Sequence, residues 1–282
     1  MGYFDQLMLQ YYQVLNNAWK KEVKEAATIA IKALAETPAA ERINKKRINT
    51  IIQVINSNLS DDFRATIAKD TKTFIEKSVK LGLADAGKQA QKMGVSIGLY
   101  GIQEQKLTNI ITKQNNFWVS QHWSNDLSAK FKAALINSID QGVTRNELAT
   151  QMQDMFKDLN KSSSYWQGFA KHTALRIREF GRLQGYQKAG AKGYRLIVTV
   201  DDRTSPICLA LHAEAKIYPL NEAIDTMNNL LSLNPDTLSI DAMKSKTKEL
   251  APWVSEKDIE YQNGIPVGVP AEHTPFPPFH WL

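Results

Sequence analysis

Cys208, His212 and His280 are the residues whose types could hold a metal ion. Zinc binds thiolate and imidazole, with four ligands in a structural site. His212 stands four residues after Cys208, one helical turn on, and His273 is also near His280 in the chain. The competing reading makes Cys208 a small buried apolar residue and packs His280 under the neighbouring prolines. Asp201, Asp202 and His280 suggest a hydrolytic metal centre. Adjacent carboxylates at a strand end point to opposite faces, however, and would not share one ion. They read better as a turn, with Asp201 accepting backbone N–H bonds. Asp202 or Glu179 then pairs with Arg203 or Arg178. No P-loop, His-Glu-x-x-His or nucleophile-elbow pattern occurs. Glu179 lies among arginines, which favours its ionised form over a role in acid catalysis. These residues predict no catalytic group, no cofactor and no bound metal.

A second chemistry is the binding of anions. The chain has 282 residues, a formal net charge of +6 and a pI of about 9.2, compatible with nucleic acid or an acidic partner. Lys171, Arg176, Arg178, Arg182, Lys188, Lys192 and Arg195 crowd one stretch against Glu179 alone. Arg176 and Arg178 point about 200° apart on a helix. The spacing predicts that Arg176 turns inward, to a carboxylate in the Asp201–Thr204 turn. Arg178 and Arg182 then share an exposed stripe, and with Lys171, Lys188 and Lys192 form a surface for a partner or for DNA.

The elements that must position these groups are mostly helices. Phe4, Leu7, Met8, Tyr11, Leu15 and Trp19 form a stripe that predicts a helix over 3–35, closed by Thr37-Pro38. Helices are expected at 40–58, with Ile48, Ile51, Ile52 and Ile55 inward, and at 61–91, capped by Ser60 or Asp61. Gly82, Gly87, Gly94, Gly98 and Gly101 mark a stretch that is broken, tightly packed or mobile. Further helices are expected at 103–113 and 117–140, the latter stopped by Gly142. Thr144-Arg145-Asn146-Glu147 is a capping box opening a helix to about Phe156. A serine-rich linker at Lys161–Ser164 sets a domain boundary, 1–162 against 163–282. A helix over 165–189 then leads, past Gly190 and Gly193, into a strand from Tyr194 to Val200 with alternating β-branched residues. Helices at 221–231 and 241–250 and a long loop over 254–275 complete the chain.

The strand, the run Asp201-Asp202-Arg203-Thr204-Ser205-Pro206-x-Cys208 and the distal Pro277-Pro278-x-His280 together resemble the phage head morphogenesis family, the Mu F-like minor head proteins. Arg176-Ile177-Arg178-Glu179 is similar to the helix that opens that family's C-terminal module. The matching region is about 170–220 plus 275–281. Many such proteins carry a Cys-x-x-Cys pair and a distal His-x-x-Cys-x-Cys as a ligand set. Here Ser205 stands at the first cysteine position, and only Trp281 and Leu282 follow His280. Of that pattern Cys208 and His280 remain, and folding without zinc is expected. The structural motif implied is Arg176, Glu179, Asp201, Asp202, Arg203, Thr204, Cys208, Pro278 and His280.

The fold expected is α+β: a mostly helical N-terminal domain and a small mixed C-terminal module. The resemblance implies a non-enzymatic minor head protein of the virion, in the capsid interior or at the portal vertex, made in the host cytoplasm. Its partners would be the portal protein, scaffold or major capsid protein, and in some members double-stranded DNA. The alternatives are a DNA-binding packaging or ejection factor and a nuclease- or toxin-like enzyme. No stretch approaches the roughly 20 apolar residues that span a bilayer. The N-terminus lacks signal-peptide character, and Gln6 stands where myristoylation after Gly2 requires Ser or Thr. One cysteine excludes an intramolecular disulfide framework.

Overall fold

A computed structural model describes residues 2–36, 45–98, 100–122, 127–141, 144–202 and 204–280. Thr37-Pro38, Gly142 and Arg203, to which roles were assigned above, lie outside the described residues. Among the described residues the chain is mostly helical, with two small antiparallel sheets in its last third. It groups into two compact units, one of residues 1–73 and 115–170, the other of 74–114 and 171–282. The expected division at 162/163 is contiguous, whereas these units interleave along the chain.

In the first unit α1 (Tyr3–Ala35) follows the expected stripe, burying Leu7, Tyr11, Leu15 and Trp19. Trp19, Phe63 and Trp166 meet with centroids 5.2–5.5 Å apart, and the Trp19 indole donates to the Leu159 carbonyl at 2.9 Å. Helix α2 (Lys45–Asn56) does not end at a cap. It passes through a π-helical stretch, Ser57–Asp62, into α3 (Phe63–Lys92). Ser60 is therefore no N-cap. Its hydroxyl donates back to the Asn56 carbonyl at 2.7 Å, and the Asn58 amide donates to Val54 at 2.9 Å. Such back-bonding lets polar residues stay within a helix.

Helix α4 (Ile102–His122) likewise runs through 114–116, where a break was expected. The polar side chains there have inward partners. Asn115 donates to the Tyr11 hydroxyl at 2.7 Å in the first unit, and Gln114 donates to the Leu230 carbonyl at 2.8 Å in the second. After α5 (Ser128–Asp140), the capping box at Thr144 and Glu147 opens α6 (Arg145–Leu159) as predicted. Thr144 Oγ1 accepts the Glu147 N–H at 3.3 Å, and Glu147 accepts the Thr144 N–H at 2.7 Å. Thr144→Ala is expected to cost about 1 kcal/mol in thermal unfolding. An unchanged midpoint would mean the box contributes nothing.

Helix α7 (Ser163–Lys188) starts inside the expected linker, and its residues to Ala170 belong to the first unit. In the second unit, α3 from Phe74 onward packs on α7 from Lys171 onward. A Cβ on Gly82 would lie 1.9 Å from the Arg178 carbonyl oxygen, and one on Gly181 would lie 2.3 Å from that of Val79. Of the three readings of the glycine-rich stretch, tight packing holds at Gly82. Gly94, with φ +77°, follows the end of α3.

The central strand is shorter than expected. Only β1 (Gly193–Arg195) pairs, antiparallel with β2 (Ile217–Pro219). Residues 196–200 form no ladder, and Ile197 and Val200 are exposed. Alternation alone did not supply them with a partner strand. Helices α8 (Pro206–Glu214), α9 (Leu220–Ser232) and α10 (Ile240–Leu250) follow. The expected loop over 254–275 contains a hairpin, β3 (Glu260–Gln262) with β4 (Ile265–Gly268). Asn263 and Gly264 have φ of +53° and +77°, the two positive values that a tight Asn-Gly hairpin turn requires. That dipeptide was the signal the loop reading passed over.

Candidate functional site

Pro206 stands at the first position of α8 and Ser205 caps it, so the turn residues before them end where the helix begins. Ser205 Oγ accepts the Cys208 N–H at 3.2 Å. Asp201 and Thr204 close the turn on themselves. Asp201 N donates to Thr204 Oγ1 at 2.8 Å, Thr204 N donates to the Asp201 carbonyl at 2.9 Å, and the Thr204 hydroxyl lies 3.2 Å from Asp201 Oδ1. Asp202 is exposed.

The C-terminal segment is brought to α8 by a chain of separate bonds. Thr274 donates from both its N–H and its hydroxyl to the Pro252 carbonyl, each at 2.9 Å. The Tyr194 hydroxyl donates to the Pro275 carbonyl, and Tyr194 stacks on Tyr218. The Tyr218 hydroxyl lies 2.9 Å from His273 Nε2, whose Nδ1 lies 2.7 Å from the Pro270 carbonyl. Burial pulls the His273 imidazole below its ordinary pKa. The carbonyl therefore fixes the proton on Nδ1, and Nε2 accepts from Tyr218. Phe276 is fully buried against Phe180, and Phe279 joins Ile207, Leu211, Val254 and Val269 in a core with Pro278 buried beside it. The Val254 N–H donates to the Phe279 carbonyl at 2.9 Å.

This anchoring delivers His280 to the cap of α8. Its Nε2 lies 3.0 Å from Ser205 Oγ and 3.9 Å from Cys208 Sγ. Burial pushes the Cys208 thiol up, but His280 and Ser205 outweigh it and hold the thiol below its ordinary value. The two segments singled out in the sequence thus meet. His212 does not join them: it is exposed in the last turn of α8. Among the described residues, no three His, Cys, Asp or Glu side chains are grouped to hold a metal ion. His172, on α7, is buried, with its ring 5.0 Å from that of Trp253.

The basic helix differs from expectation. Arg176 does turn inward, but its Nε and Nη2 meet no hydrogen-bond partner among the described residues, and Asp201 belongs to its own turn. Arg178 and Arg182, expected on an exposed stripe, are inside an ion network. Arg178 reaches Asp85 at 2.6 Å, and Arg182 reaches Asp85 at 3.1 Å and Glu179 at 2.6 Å. Their side chains are only 22% and 26% exposed, too little for a free cationic face. Asp85 lies on α3, one turn beyond Gly82, and only the close approach of the two helices brings it there. Burial pushes the Glu179 carboxyl above its ordinary pKa, with Arg182 and Arg178 pulling against it. The expected preference for the ionised form neglected that burial. Lys188 also leaves the surface set: it pairs at 2.6 Å with the buried Glu104. Burial pushes Glu104 up, yet Lys188 and the Gly101 N–H hold it below its ordinary value. Lys171 and Lys192 are exposed.

Asp85→Ala is expected to destabilise the protein by about 2 kcal/mol, because two arginines lose one partner. The figure is reduced from that of a fully buried pair because water still reaches the groups. Chemical denaturation reads it directly, and a parent-like midpoint would mean the network is energetically idle.

No helix among the described residues is long and apolar enough to cross a membrane. No protein-family model, curated protein or solved structure matches this chain.

Proposed function

We propose that this chain is a minor head protein of a phage, similar to the Mu F-like proteins, that associates with the portal during head assembly. On this reading it is a non-catalytic component of the virion. One observation carries the proposal. The two short segments on which the resemblance rests are 75 positions apart at Ser205 and His280, yet those residues are 3.0 Å apart. Two coincidental strings would have no reason to form one bonded unit. The ordered anchoring of Pro275–Phe279 supports the same reading, since it gives the terminal motif a structural task.

The reading of the chain as a DNA-binding packaging factor has less support. Three of the five cations proposed for a nucleic-acid surface, Arg178, Arg182 and Lys188, are neutralised by Asp85, Glu179 and Glu104. Contact with phosphates requires cations free to displace counterions. The test is co-sedimentation of the purified chain with portal rings from the same genome. Association that survives moderate salt is the expected result. Retention on DNA that falls steeply with salt, with no binding to portal, would overturn the proposal in favour of the packaging-factor reading.

A further inference from the structure

Arg176 is a part-buried cation whose inner nitrogens face no anion among the described residues. Its Nε and Nη2 are shut off from solvent and meet no hydrogen-bond partner. Burial lowers its pKa to about 10, so the guanidinium keeps its proton at neutral pH, and no carboxylate counters that shift. His172 stands one turn before Arg176 on the same face of α7, and burial, then Arg176, then His280 hold its imidazole well below the ordinary value. The nearest carboxylate foreseen for it, Asp201, is held by Thr204. An isolated buried charge is among the costliest features a fold can carry, and such groups ordinarily meet a counter-ion.

The two unpartnered nitrogens are chemically informative. Nε–H and Nη2–H project side by side from one edge of the planar group. Their spacing matches two oxygens on a single carbon or phosphorus. We infer that this edge of Arg176, one turn beyond His172 on the same face of α7, is a binding site for an oxyanion, a phosphate or a carboxylate. The site lies in the unit that carries the Ser205–His280 contact but does not depend on the head-protein reading. The neighbouring pair of arginines offers no equivalent site, because Asp85 and Glu179 occupy them.

Equilibrium dialysis of the full chain against radiolabelled phosphate, and separately acetate, tests the inference at fixed ionic strength in chloride. One equivalent of saturable binding by one of the two anions is expected, and which one binds distinguishes a phosphoryl from a carboxylate ligand. Arg176→Lys keeps the charge but removes the fork, and should weaken binding about tenfold or more. Binding unchanged in that variant would overturn the assignment, as would no saturable binding to the parent chain. A readout that needs no variant is the melting temperature of the parent at low millimolar anion. It should rise over the chloride control, since a ligand that binds only the folded state stabilises it. Equal melting temperatures in phosphate, acetate and chloride would sink the inference.

Discussion

Gly82→Ala should cost about 2 kcal/mol in unfolding free energy. The added methyl would sit 1.9 Å from the Arg178 carbonyl oxygen and 2.9 Å from the Arg182 nitrogen. Both are backbone atoms of α7, so no side chain can swing away to make room. The helices must part, and with them the contact that lets Asp85 reach Arg178 and Arg182. Overpacking of this kind costs about 1–3 kcal/mol, occasionally more. Alanine's better helix propensity returns about 1 kcal/mol and does not reverse the sign. Gly87→Ala is the internal control. Its methyl would meet only the Ile97 side chain at 3.6 Å, an ordinary contact, so propensity alone should stabilise by about 1 kcal/mol. Urea unfolding of both variants gives the comparison. Were Gly82→Ala as stable as Gly87→Ala, the close crossing of α3 and α7 would be wrong.

Acid should unfold the protein through His172. Burial, then Arg176, then His280, lower its pKa from 6.5 to about 3. Between those values the unfolded chain binds a proton that the folded chain refuses. Stability therefore falls as pH drops from about 6.5 towards 3, and is fully present above 6.5. At about 1.4 kcal/mol per pH unit the loss amounts to roughly 5 kcal/mol. His172→Phe keeps a ring against Trp253 and cannot be protonated. Its stability should decline less steeply over that window than the parent's, the carboxylates contributing equally to both. Parallel pH profiles would show that the imidazole is protonated in the fold.

Much of the helical frame was legible because single residues declare it. The bounds of α1 follow from its aromatic stripe. Thr144 and Glu147 announce α6, and the start and end of α9 and α10 fall within a residue of expectation. The breaks foreseen at 58–61 and 114–116 failed for a shared reason. Asn58, Ser60, Gln114 and Asn115 are polar, but each finds a carbonyl or hydroxyl inside the fold, which no local pattern announces. The site was half visible. Ser205, Cys208 and His280 were singled out and do meet, whereas Tyr194, Tyr218, His273 and Thr274, which hold the terminal segment in place, carry no motif. The basic helix was misjudged because its partners, Asp85 and Glu104, lie roughly ninety residues earlier, on helices whose approach depends on glycines. Charge counted along one helix says nothing of acids supplied by another.

The interleaving of the two units bears on how the chain can be made and inherited. A fragment of residues 163–282, the region expected to stand alone, would lack Phe74–Gln114 and all that those residues cover. Gly181 and Gly185 would open a bare furrow along α7, and Arg178, Arg182 and Lys188 would face it with no acid opposite. No single cut of the polypeptide releases either unit whole. During synthesis the second unit must wait for nearly the entire chain to emerge, and genetic exchange at any point between residues 74 and 170 would sever both units together.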